Sequence, residues 1–184
     1  DDALKLNRKE INELYKKHVN PSLTNMLSLL NFDKHFVKAE GTKVWDAEGK
    51  EYLDFLGGYG SLNLGHNNTY VIEEMKKVIG VPNLLQASIS TMAAVLAANL
   101  AKIAPGNLNK SFFCNSGAES VEGALKLARI ATQRTKFIYC IGAFHGKSFG
   151  ALSVSGREKY KNPFKPLLSN CISVPYGELS ALEK

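Results

Sequence analysis

The residues of this chain best suited to chemistry run from Phe112 to Glu122: Phe-Phe-Cys-Asn-Ser-Gly-Ala-Glu-Ser-Val-Glu. The aromatic residues stop at Asn115-Ser116-Gly117, and an apolar helical spacing begins at once with Val121, Ala124, Leu125, Ala128 and Ala131. The pattern predicts a strand that turns sharply into a helix with one buried face. The first amides of such a helix have no carbonyl partner within it, and its positive end attracts anions, so a phosphate can be held there. A glycine at the turn lets the backbone approach a ligand closely. The same residues also suit a plain helix cap by Ser116. Neither G-x-x-x-x-G-K-S/T nor G-x-G-x-x-G fits, so no nucleotide fingerprint is present.

A second short apolar run, Lys136 to Ile141, leads into Gly142-Ala143-Phe144-His145-Gly146-Lys147. This puts an aromatic ring and an imidazole in a glycine-flanked loop at a strand end, where open α/β sheets bind ligands.

Together, N-S-G-A-E-S-V-E-G-A-L-K-L-A-R and G-A-F-H-G-K-S-F-G-A-L-S resemble the class III aminotransferases. Gly57-Gly58-Tyr59-Gly60, Leu64-Gly65-His66-Asn67 and the stretch Asn162 to Leu168 extend the resemblance over nearly the whole chain. It implies an incomplete α/β fold of the type I, aspartate aminotransferase-like class, with pyridoxal 5'-phosphate as cofactor. The cofactor-binding residues it implies are Ser116, Gly117 and Ala118 for the phosphate, Phe144 stacked on the pyridine ring and His145 in support. Tyr59 and Gln86 are the implied substrate-pocket residues. Gln86, Ala87 and Ser88 match a region that reaches the partner subunit's site in relatives, which implies a homodimer with shared active sites. Many relatives carry threonine at the position of Ala118, so one hydroxyl donor is lost here while the backbone amide remains.

The implied reaction moves an amino group from a terminal amine, putrescine or a related diamine, to 2-oxoglutarate, with ornithine or acetylornithine as the alternative donor. The resemblance places the Schiff-base lysine and the aspartate facing the pyridine nitrogen beyond Lys184. The chain is therefore expected to be the N-terminal part of an enzyme, with no catalytic residue of its own and no activity alone. If the natural chain ends here, a non-catalytic phosphate-binding or dimerising module is the other reading. Neither Lys126 nor Lys147 substitutes for the missing lysine: Lys126 lies four residues after Glu122, which suits an exposed ion pair, and Lys147 sits among polar and glycine residues.

Apolar periodicity and turn residues predict the elements around these motifs. Residues 9–30 read as two helical pieces broken by Pro21. Val44-Trp45-Asp46 and Tyr52 to Phe55 flank the turn-like Ala47 to Lys50 as a hairpin. The Gly57 to Gly65 loop then leads into a helix near Tyr70 to Ile79. Residues 1–83 are expected to form an N-terminal arm and small lobe, and residues 84–184 the first part of a large domain. In the latter a helix runs from Ile89 to Ile103 and ends at Pro105-Gly106. Short strands near Phe112, Phe137 and Ile172 build a mostly parallel sheet, and a helix starts in the Pro175 to Lys184 tail.

Composition excludes other classes. The net charge is +6, but the lysines are scattered, with no basic stripe interleaved with aromatics, which argues against nucleic acid. No apolar run nears the roughly 18 residues of a membrane span. The residues from Asp1 to Lys5 carry no secretory signal, so the cytoplasm is the expected location. Cys114, Cys140 and Cys171 lack metal or redox spacing and are expected as buried, reduced thiols. The four histidines are isolated, and no metal site is expected.

Overall fold

The computed structural model describes residues 3–82 and 88–183. The chain divides into two compact units, Asp1–Gln86 and Ala87–Lys184. The division expected after residue 83 falls, like this one, outside the described residues.

In the first unit, helices α1 (Arg8–His18) and α2 (Pro21–Leu29) form where expected. Asn7 and Glu10 close a reciprocal cap on α1, and Asn20 caps α2, with Pro21 in the first turn where its missing N–H costs nothing. Asp33 ties the two helices together by accepting from the Arg8 guanidinium, from Asn12 Nδ2 at 2.7 Å and from Ser28 Oγ at 2.9 Å. Strands β1 (Phe36–Glu40), β2 (Lys43–Asp46) and β3 (Glu51–Leu53) form an antiparallel sheet in that order. The β2–β3 hairpin matches the expected turn; β1 carries no comparable signal in the sequence.

Two carboxylates fasten the hairpin and the glycine-rich loop after it. Asp46 closes the hairpin turn by accepting from the amides of Glu48 (3.2 Å) and Lys50 (2.8 Å) and from the Tyr52 hydroxyl (2.7 Å). Asp54 accepts from the amides of Leu56 (2.9 Å) and Gly57 (3.0 Å) and pairs with His66 Nε2 at 2.9 Å, joining the two ends of the Gly57 to Gly65 loop. Gly41 and His66 exchange backbone hydrogen bonds, and a Cβ at Gly65 would stand 2.9 Å from the Gly41 backbone, so this crossing requires glycine. Helix α3 (Thr69–Lys76), capped by Asn68, comes next.

The second unit contains α4 (Thr91–Ile103), α5 (Gly117–Thr132), β4 (Phe137–Cys140), α6 (Phe149–Ser153), α7 (Glu158–Lys161), β5 (Cys171–Val174) and α8 (Leu179–Leu182). Strand β4 pairs in parallel with β5, with Phe137 opposite Cys171 and Cys140 opposite Val174. The core lies under this pair: Tyr139 and Val174 from the strands, and Ala151, Leu152 and Val154 from α6 and its end. Lys161 reaches into it with only 7% of its side chain exposed, donating to the Tyr139 hydroxyl at 2.7 Å and to the Ser153 carbonyl at 3.1 Å.

Three expectations are corrected here. Phe112 to Cys114 forms no strand, since no described segment supplies a ladder for its backbone. The α5 face is not buried: Ala124, Ala128 and Ala131 are exposed and Val121 and Leu125 half-buried, and α6 meets α5 through Glu122, which is not on that face. The cysteines are free, but half-buried rather than buried. Burial raises the pKa of the Cys171 thiol, which keeps it protonated.

Replacing Lys161 with Met leaves the Tyr139 hydroxyl and the Ser153 carbonyl without their donor. A loss of about 1–3 kcal/mol is expected, read as a lower thermal midpoint of the full-length protein. The pKa of Asp46 is lowered mainly by the Tyr52 hydroxyl, and that of Asp54 mainly by the Gly57 amide and then His66. An unfolded aspartate titrates at about 3.9, so the stability these carboxylates contribute is complete above that value and is lost as pH falls through their lower folded values. Asp46→Asn and Asp54→Asn are expected to lower the midpoint at neutral pH and to flatten its decline on acidification.

Candidate functional site

Helix α5 starts because Ser116 adopts extended backbone and its Oγ accepts from the Glu119 amide at 3.2 Å. Glu119 turns back to accept from the Asn115 amide at 2.6 Å. These contacts satisfy the Asn115 and Glu119 amides and leave those of Gly117 and Ala118, the first two of the helix, without a protein acceptor among the described residues. A Cβ built at Gly117 meets no atom within 4 Å, so the helix start is open. Two free donors at the positive end of a 16-residue helix suit an anion.

The loop after β4 packs onto this helix start. A Cβ at Gly146 would lie 2.7 Å from the Ala118 Cβ and 3.0 Å from its Cα, and Gly146 has φ +132°, so glycine is required twice over. The loop's other side is fixed by residues 155 and 156. The Gly142 amide donates to the Gly156 carbonyl (3.0 Å), the Gly156 amide to the Ala143 carbonyl (2.7 Å) and the His145 amide to Ser155 Oγ (3.1 Å). A Cβ at Gly156 would collide with the Cys140 carbonyl and the Gly142 amide. Phe144 therefore sits between two anchored neighbours, its own surface 66% exposed. His145 is exposed as well.

The exposed ion pair expected between Glu122 and Lys126 does not form. The Glu122 carboxylate turns to α6 instead, where one oxygen, Oε1, accepts from Ser148 Oγ at 2.6 Å and from the amides of Gly150 at 2.9 Å and Ala151 at 3.1 Å. The Ser148 hydroxyl, chiefly, and the two amides hold the Glu122 pKa below the usual carboxylate range against the opposing effect of burial. Lys126 is exposed.

Ser116, Gly117, Ala118, Phe144 and His145 are thus brought to one corner of the second unit. Tyr59 belongs to the first unit, where it is 91% exposed with φ +56°, a left-handed conformation uncommon for a residue with a side chain. Gln86 and Ala87 lie outside the described residues. Sequence reasoning missed Glu122, Ser155 and Gly156. No local signal marked them, because their partners lie elsewhere in the chain, those of Glu122 at the start of α6, a helix of five residues, Phe149–Ser153. Among the described residues no group of three or more His, Cys, Asp or Glu could hold a metal ion.

Comparison with known proteins puts this corner in context. The model of the family "Aminotransferase class-III" matches residues 29–184. The chain belongs to the class III aminotransferases. It is 41% identical over 180 residues to the aminotransferase PigE of a Serratia species, covering 96% of this chain and 21% of that protein. It is 44% identical over 164 residues to the acetylornithine aminotransferase of Methanopyrus kandleri, covering 87% and 41%. Among solved structures, an (S)-enantioselective omega-transaminase from Thermomicrobium roseum superposes with a TM-score of 0.81 at 32% identity, over 93% of this chain and 40% of that one. The taurine:2-oxoglutarate aminotransferase of Bifidobacterium kashiwanohense, solved with PLP and glutamate, gives 0.77 at 27% identity, over 93% and 38%. The fold is thus that of the pyridoxal-phosphate-dependent class III transaminases, and the chain spans between a fifth and about two-fifths of these relatives' lengths.

Gly146→Ala is expected to push the loop off Ala118. The measurement is a thermal scan of the full-length protein, with a drop of about 1–3 kcal/mol from the strained backbone and the overpacked contact.

Proposed function

We propose that the protein carrying this chain is a pyridoxal-phosphate-dependent transaminase that moves an amino group from a terminal amine, putrescine or a related diamine, to 2-oxoglutarate. The observation that carries the reading is the open pair of amides at Gly117 and Ala118 in a chain of this family. Donor set and shape fit the cofactor: an anion seat at a helix start, with an exposed, anchored aromatic residue on the loop packed against it.

When bound, the cofactor supplies an electron sink for the carbon that loses its proton. In this reading, the Gly117 and Ala118 amides and the dipole of α5 hold the phosphate, with Ser116 fixing the first turn. Phe144 sets the plane of the pyridine ring, and His145 supports the loop. Tyr59 offers a flat apolar surface with a hydroxyl to border the donor's alkyl chain. Gln86 is assigned to the substrate pocket by resemblance alone. The remaining assignments are a homodimer with shared active sites, a cytoplasmic location, and a Schiff-base lysine outside this chain. No helix among the described residues is long and apolar enough to cross a membrane. A second donor class, acetylornithine or ornithine, is favoured by the 44% identity to the acetylornithine enzyme.

The test uses the full-length protein with pyridoxal phosphate. A visible absorption band lost on adding putrescine, with glutamate formed from 2-oxoglutarate, supports the diamine reading, whereas turnover of acetylornithine or ornithine alone supports the second. Cofactor binding without turnover of any amine supports a non-catalytic module. Gly117→Val is expected to weaken cofactor retention about tenfold or more by filling the helix start, checked by titrating apo-protein with pyridoxal phosphate.

A further inference from the structure

We propose that Glu122 is a positioning residue that sets the tilt of the cofactor ring by capping, from the phosphate-side helix, the short helix that comes after the ring loop; the proposal rests on the pyridoxal-phosphate reading above. Helix α6 needs an acceptor at its start, because the amides of its second and third residues, Gly150 and Ala151, have no partner within it. Its own N-cap residue, Ser148, makes no capping bond; its hydroxyl donates to Glu122 instead. A single oxygen on α5 therefore serves as the cap for α6 and takes the hydroxyl of the residue before it.

The consequence reaches Phe144 through a short run of bonds. The Ala151 amide is held by Glu122 Oε1, the Ala151 carbonyl accepts from Ser155 Oγ at 3.0 Å, and the same Ser155 Oγ accepts from the His145 amide at 3.1 Å. Ala151 to Ser155 are all buried, so this run is packed and cannot swing freely. On the other side the loop meets α5 directly, through Gly146 against Ala118. The ring loop is thereby held to the phosphate helix at two places, one by packing and one by Glu122. Gly150 keeps the second place open, since a Cβ there would run into the Glu122 carboxylate.

The bonds require reach rather than charge, because one oxygen accepts all three. Glu122→Gln keeps an oxygen at that distance; Glu122→Asp keeps the charge and withdraws it by one methylene. In the full-length protein, Glu122→Asp is expected to raise the dissociation constant for pyridoxal phosphate about tenfold and to diminish the visible circular dichroism per bound cofactor. It should also speed hydrogen exchange in the apo-protein across residues 142–156. Glu122→Gln should stay close to wild type in all three, and Ser148→Ala, which removes one bond of the three, should fall between. A Glu122→Asp protein with wild-type dichroism and affinity, even if its thermal midpoint drops, overturns the proposal, because the carboxylate then only stabilises the fold. Glu122→Gln as impaired as Glu122→Asp overturns it too, since charge would then be the operative property. Wild-type protein that binds no pyridoxal phosphate overturns the cofactor reading and this proposal together, whereas binding by wild type with an unchanged Glu122→Asp variant overturns this proposal alone.

Discussion

Helix α5 begins with two amides, those of Gly117 and Ala118, that no group of the described protein takes. Ser116 commits its hydroxyl to the Glu119 amide, and Glu119 commits its carboxylate to the Asn115 amide. Gly117 adds no side chain to the opening, and the nearest loop touches the helix at Ala118 through a glycine. Water can solvate an exposed helix start with little penalty, so the feature is not a defect of folding. It becomes a site because a second element is fastened to it at a defined distance.

That fastening is glycine and serine chemistry more than hydrophobic packing. Gly146 and Gly156 permit backbone approaches that any Cβ would block, and Ser155 joins the loop to the buried run behind it. Glu122 completes the arrangement from α5. The apolar core of this unit is small by comparison, with Tyr139, Ala151, Leu152, Val154 and Val174 as its buried apolar members among the described residues. Ile89, Phe112, Leu127, Ile130 and Ile138 remain exposed in a chain about two-fifths the length of its solved relatives. Polar interlocks therefore carry more of the local geometry than area burial does.

Elements whose signals are local were readable from the residues. Pro21 separated α1 from α2, the Asp46 turn announced the β2–β3 hairpin, and the alternation of apolar run, glycine loop and helix announced the parallel pairing of β4 with β5. The helix start at Ser116 to Ala118 and the glycine-flanked Phe144 loop were each legible from residue types, but their meeting at one corner came from the resemblance to the family, since spacing alone left Ser116 open as a plain helix cap. Features that depend on a distant partner were not. Phe112 to Cys114 has strand composition, yet a strand exists only where a ladder is supplied. The α5 alanines have helical spacing, yet burial needs a covering element. Glu122 with Lys126 four residues on has the spacing of a surface ion pair, and only the fold reveals that uncapped α6 amides compete for the same carboxylate and win, three hydrogen bonds against one screened pair. Helix α6, five residues long, gave too short a period to read.

All of this turns on what occupies the anion seat at the start of α5. A crystal structure of the full-length protein with pyridoxal phosphate would decide the matter. Phosphate oxygens are expected within hydrogen-bonding distance of the Gly117 and Ala118 amides, with the pyridine ring against Phe144. Phosphate bound elsewhere, with those two amides facing only water or protein, would contradict the pyridoxal-phosphate reading.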